Sequence, residues 1–114
     1  MSLEEQLVSY RQRASALQGP ASQAFSRLLD LAEHQRSGQI RTVVLFLAST
    51  YNGQAFPFDP FNLRSIDVDI SDDMLLCLDA LRWGKADLYK LVPNGDRRLK
   101  DVIKDWGLKW PEND

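Results

Sequence analysis

Ala21, Ala24, Phe25, Leu28, Leu29 and Ala32 stand three and four residues apart between Pro20 and Gly38. That spacing gathers them on one stripe of an α-helix. The same period recurs in three more stretches: Ile40, Val43, Val44, Leu47, Ala48 and Tyr51; Ile70, Met74, Cys77, Leu78 and Leu81; and Leu99, Val102, Ile103 and Trp106. β-Branched Val43 and Val44 also suit a buried strand, but the spacing of their neighbours favours a helix that ends at Asn52-Gly53.

Boundary signals divide the chain further. Ser2 followed by Glu5 is a capping box and opens a first helix, with Leu3, Leu7, Tyr10, Ala14 and Leu17 on a narrow apolar stripe. Gly19 is expected to stop that helix, Pro20 to open a second one and Gly38 to close it. Asp59-Pro60 pairs a capping residue with a proline at the first helical position, so a short turn should run to about Arg64. Asp67, Asp69, Ser71, Asp72 and Asp73 crowd the start of the next helix, where acids complement the helix dipole, and Gly84 follows its end. Lys85 to Asn94 reads as irregular, with one turn at Asp87 to Leu91. Asn94-Gly95 marks a turn, Asp96 is expected to cap the last helix, and Gly107 suits a left-handed C-cap closed by Leu108. No internal repeat, coiled-coil heptad or low-complexity tract stands out.

The fold expected is all-α, a single domain over 1–114. It is a bundle of four main helices plus one or two short helical turns, with residues 1–18 as a peripheral N-terminal helix. A length of 114 residues with 44% hydrophobic and 26% charged residues is enough for one core.

The formal net charge of −2 is unevenly spread: residues 42–83 carry six acids and only two basic groups. This acidic middle disfavours tracking a phosphate backbone, which needs a contiguous basic face. Cys77 is the single cysteine, so no intramolecular disulfide framework or paired-thiolate zinc site can form. The longest apolar run, Val43 to Ala48, is far short of a membrane span, and the first residues lack a basic-plus-apolar leader. A soluble, cytoplasmic protein with no membrane association is expected.

Asp67, Asp69, Ser71 and Asp72 place oxygen ligands at alternate positions as a calcium loop does. Such a loop needs glycine at its sixth position and an acid at its twelfth, where Asp72 and Leu78 stand, so no metal site is expected. Asp69 and Asp73, within one turn, lack a histidine or nucleophile beside them for acid and base work. His34, the only histidine, suits the end of its helix, and Cys77 falls on an apolar stripe. No catalytic residue or cofactor site follows, and the chain is not expected to be an enzyme. Trp83, Lys85, Tyr89, Lys90, Arg97, Arg98 and Trp110 resemble a stacking and phosphate-contacting set, but Asp87, Asp96, Asp101 and Asp105 nearly neutralise them.

The unusual stretch is Phe56, Phe58, Phe61 and Leu63 in a loop, where large rings either plug the bundle from one end or form an exposed patch. The reading favoured is a non-enzymatic interaction or accessory regulatory module. Its protein partner would meet Phe56, Phe58, Phe61, Arg64, Asp67, Asp69, Asp72 and Asp73. Two alternatives remain: a small nucleic-acid-associated regulator using Arg97, Arg98 and Lys100, or an acidic inhibitor mimicking a phosphate backbone through Asp67, Asp69, Asp72 and Asp73. The first helix is in addition a candidate element for a homodimer.

Phe46-Leu47-Ala48 with Tyr51-Asn52, then Phe58-Asp59, Leu63, Ile66-Asp67, Ile70, Asp72-Asp73-Met74 and Trp106, resemble a family of small uncharacterised proteobacterial proteins. That family is known as a domain of unknown function and is often carried by plasmids and integrated elements. The likeness covers roughly residues 24 to 110. It departs at Arg64, where that pattern has tryptophan, and at Asn62, where it has aspartate. It implies an accessory role in a mobile gene context and supplies no cofactor or catalytic residue.

Overall fold

The computed structural model describes residues 2–84 and 87–111, the side chain of Leu17 excepted; Lys85, one of the basic residues weighed above, lies outside them. They form four α-helices, α1 (Leu3–His34), α2 (Gly38–Tyr51), α3 (Val68–Leu81) and α4 (Gly95–Asp105), with two 3-10 turns at Pro60–Ser65 and Leu88–Leu91. No strand occurs among the described residues. None of the helices is long and apolar enough to cross a membrane.

The capping box at Ser2 is formed in full: its Oγ accepts the Glu5 N–H at 3.1 Å, and the Glu5 carboxylate accepts the Ser2 N–H at 3.4 Å. The expected break at Gly19-Pro20 is corrected by the structure, because α1 runs through both residues as one helix of 32 residues. Proline inside a helix costs about 3 kcal/mol through a lost hydrogen bond and a clash with the preceding turn. Here the losses fall on the solvent side. Ala16, whose carbonyl loses its donor, is exposed, as are Gly19 and Pro20, while Ala14 and Ala21 on either side are buried along one seam. Water can bond the freed carbonyl, and packing holds the rest.

Gly38 likewise opens a helix instead of closing one. α1 stops at His34, and Ser37 caps α2 by accepting the Ile40 N–H at 3.3 Å. A third correction concerns α4, which starts at Gly95. Asn94 is its N-cap in the left-handed region, φ 58, and Asp96 sits in the first turn. At the far end Gly107, φ 71, does supply the left-handed C-cap. The Leu108 N–H reaches the Ile103 carbonyl and the Gly107 N–H the Lys104 carbonyl, both at 3.0 Å, which is the Schellman pattern.

α2 is the central helix: Ile40, Val43, Val44, Phe46, Leu47 and Ala48 are buried around most of its circumference, against α1 and α4. Phe25, Leu28 and Leu29 of α1, Met74 and Cys77 of α3, and Leu99, Val102 and Ile103 of α4 complete one core. Each such large side chain contributes about 1.5–3 kcal/mol on burial. α3 packs mainly along α1 and runs antiparallel to it: Arg27 of α1 meets Asp73, while Tyr10 meets Trp83 just past the end of α3. The long dimension of the molecule, 50 Å, is close to the length of α1 itself, about 1.5 Å per residue.

Two glycines give opposite predictions. A Cβ at Gly95 would stand 2.0 Å from the Tyr89 carbonyl oxygen, a backbone atom, so Gly95→Ala should destabilise by about 1–3 kcal/mol. A Cβ at Gly38, the first residue of α2, meets nothing within 4 Å, so Gly38→Ala should stabilise by about 0.4–1 kcal/mol. Urea unfolding of the two variants checks both signs.

Candidate functional site

Asp59 sets the aromatic loop: its carboxylate accepts the Phe61 N–H at 3.0 Å, and Pro60 occupies the first position of the 3-10 turn with φ already restricted. The turn separates the rings. Phe56 is buried, edge-on to Trp110 at 4.8 Å, and Phe58 is half-buried, edge-on to Phe46 at 5.6 Å. Phe61 is 67% exposed, and the Arg64 guanidinium lies over it, 5.1 Å from the ring centroid. Residues three apart eclipse in a 3-10 helix, which puts Phe61 and Arg64 on the same outer edge. Phe56 and Phe58 therefore plug the bundle against α2 and the C-terminal segment, and Phe61 with Arg64 faces solvent.

The four acids divide in the same way. Asp67 is held by Gln39 of α2, whose Oε1 accepts the Asp67 N–H and whose Nε2 donates to the Asp67 carboxylate at 3.2 Å. Asp73 points at α1, where Arg27 donates to it twice, at 2.9 and 2.7 Å. That hydrogen-bonded pairing raises the Arg27 pKa. Asp69 and Asp72 are exposed and have no ion-pair partner among the described residues.

Because α3 lies at the edge of the bundle, its outer half is uncovered. Val68 (72% exposed) and Leu75 (52%) stand two turns apart on that side, with Asp72 between them. Leu78 and Leu81, which the spacing places on the buried stripe, also stay exposed. Sequence reasoning missed Val68 and Leu75. The available signal was that they are apolar yet fall off the stripe of Ile70, Met74 and Cys77.

The basic candidates are largely engaged. Arg98 donates to Glu33 at 2.6 and 3.1 Å and to Asp30 at 3.0 Å, and Lys100 pairs with Asp96 at 3.0 Å. Asp30, Glu33 and His34 bring ligand atoms within 4.8 Å of one another, a spacing that suits a cation, but the Arg98 guanidinium already neutralises both carboxylates. His34 Nδ1 lies 2.8 Å from the Asp30 carbonyl oxygen of its own helix, within hydrogen-bond reach. Cys77 is fully buried, and burial, followed by the charge of Asp73, pushes its thiol up to about 12. It is not a nucleophile in this state. A further feature invisible in sequence is an open cavity of about 410 Å³ beside α4, with Ile103, Leu108 and Trp110 in its wall and Lys104 and Lys109 around it. It exists because the turn at Gly107 folds the chain back along α4.

Two measurements follow. Cys77 should resist a thiol reagent such as iodoacetamide in the native protein and react on unfolding in urea; fast native labelling would contradict its burial. The Glu33 carboxyl is held below its ordinary value of 4.5 chiefly by the hydrogen bonds from Arg98. A depressed folded pKa contributes stability that is present above the unfolded value and lost as pH falls through the folded one. Arg98→Gln should therefore cost about 1 kcal/mol near pH 7, and the gap from wild type should close as pH drops below about 4. Denaturant midpoints across pH test this.

No curated protein and no solved structure matches the chain. A family model does match, over residues 22–107, which takes in the buried half of α1, the aromatic turn, α3 and α4. The chain belongs to the family of unknown function DUF7673.

Proposed function

We propose that this chain is a non-enzymatic protein-interaction module, an accessory or regulatory protein of a bacterial mobile element that works in the cytoplasm. Its partner docks on the outer edge running from the 3-10 turn along α3. The observation that carries this reading is that one continuous segment exposes Phe61, Val68 and Leu75 beside Asp69 and Asp72. Large apolar groups rimmed by uncompensated charge are the composition of a recognition patch. The acids select a partner with a basic rim, and Phe61, Val68 and Leu75 supply the desolvated centre.

The sealed thiol of Cys77 and the position of His34 at the end of α1 support a non-catalytic role. The nucleic-acid reading is weakened by the commitment of Arg98 and Lys100 to carboxylates. Phosphate mimicry is weakened by the commitment of Asp67 and Asp73 to Gln39 and Arg27.

Phe61→Ser with Leu75→Ser should leave the fold intact, since both side chains are exposed, and should abolish capture of a protein that the wild type retains from host extract. Capture of the same protein by the folded double variant would overturn the assignment of this edge. Added salt should weaken the wild-type complex, because Asp69 and Asp72 lie at its rim.

A further inference from the structure

The cavity of about 410 Å³ beside α4 shares no residue with the edge proposed above, and its wall combines apolar surface with one sign of charge. Lys100, Ile103, Lys104 and Gly107 follow one another at steps of three and one, so a single face of α4 and its C-cap forms one side. Leu108, Lys109 and Trp110 form the other, turned back along the helix by the left-handed Gly107. Both sides are held before anything binds. Ile103 is buried in the core, and its carbonyl accepts the Leu108 N–H at 3.0 Å. The Trp110 ring stands edge-on to Phe56 at 4.8 Å and to Tyr51 at 5.9 Å, yet 49% of the residue stays exposed.

Three lysines and, among the described residues, no acid line this recess, in a chain whose net charge is −2. Lys100 is committed to Asp96 at 3.0 Å, whereas Lys104 and Lys109 are exposed and have no ion-pair partner among the described residues. Carbonyls at a helix C-terminus repel anions. Here those of Ile103 and Lys104 already accept the Leu108 and Gly107 N–H groups, so the lysines set the local charge. We propose that the cavity binds a small organic acid in its ionised form, with its apolar body against Ile103, Leu108 and Trp110 and its anionic head within reach of Lys104 and Lys109. The volume falls in the range of small-molecule sites, about 300–1,000 Å³, and an apolar wall with a few convergent polar groups is their usual composition. A neutral apolar molecule would leave both ammonium groups without a counter-charge, and a bare inorganic anion would leave the apolar wall wet. Lysines act as mobile point charges and impose no bidentate geometry, so a single carboxylate satisfies them. Both charges face solvent and are screened, so the affinity should be modest, with a Kd on the order of 100 µM.

The test is an NMR titration of the isotope-labelled full chain at low salt with naphthoate, and with naphthamide as a neutral control of the same shape. Naphthoate should give saturable shifts at the amides of Lys104, Gly107 and Leu108 and at the Trp110 indole, and naphthamide should bind about fivefold more weakly. Lys104→Gln with Lys109→Gln changes two exposed side chains and should keep the fold. It should weaken naphthoate by about fivefold and leave naphthamide unchanged. Phe61→Ser with Leu75→Ser should bind naphthoate as the wild type does, which separates this site from the partner edge. The absence of saturable shifts up to about 5 mM naphthoate would overturn the site, as would shifts centred on Phe61, Val68 and Leu75. Equal binding of naphthoate and naphthamide would overturn the anionic ligand, as would a double lysine variant that binds naphthoate with wild-type affinity.

Discussion

The continuity of α1 through Pro20 is the constraint on which the rest of the molecule depends. Each of the other helices is fastened to this one element. Asp73 of α3 takes the Arg27 guanidinium, and Arg98 of α4 takes Asp30 and Glu33. Trp106 donates its Nε1 to the Ala32 carbonyl at 3.0 Å with Arg36 over its ring, and Ser22 reaches the Leu91 carbonyl at 2.8 Å. Were the chain to bend at Gly19, the two halves of the seam would lose their common direction and α3 could not follow both. Alanines at 14, 21 and 24 matter for the same reason, since small side chains let the neighbouring helix approach closely along the line.

Much of this fold is legible from local rules, and the exceptions have identifiable causes. The box at Ser2, the cap at Asp59 and the left-handed glycine at 107 each depend on residues within five positions of one another. Pro20 reads locally as a break because its penalty is local, whereas what offsets it is contact with α3, some fifty residues away in sequence. Gly95 gives a different case. Its role is to let the Tyr89 carbonyl approach, and Asp96 only resembles a cap because the true start of α4 is fixed by that approach and by Asn94.

The candidate surface was legible only in outline. A cluster of rings and acids at 56–73 is plain in the sequence, but which of them face outward is decided by neighbours from other elements. Asp72 and Asp73 are adjacent and chemically identical. One is open and one is bonded twice, solely because Arg27 stands on the seam side of α3. Phe58 lies just before the 3-10 turn and Phe61 within it, and Phe46 takes the first. A sequence pattern assigns a residue to a helix face, but it does not say which helix covers that face.

Arg64 sets the character of the exposed edge. It stands three residues from Phe61 on the 3-10 turn, so the two side chains share one edge. The guanidinium lies over the Phe61 ring, covering apolar surface with a cation that also stays hydrated. The segment from the 3-10 turn along α3 thus presents a cation on its exposed ring and, further along, the open carboxylates of Asp69 and Asp72, all inside the residues that the family model matches.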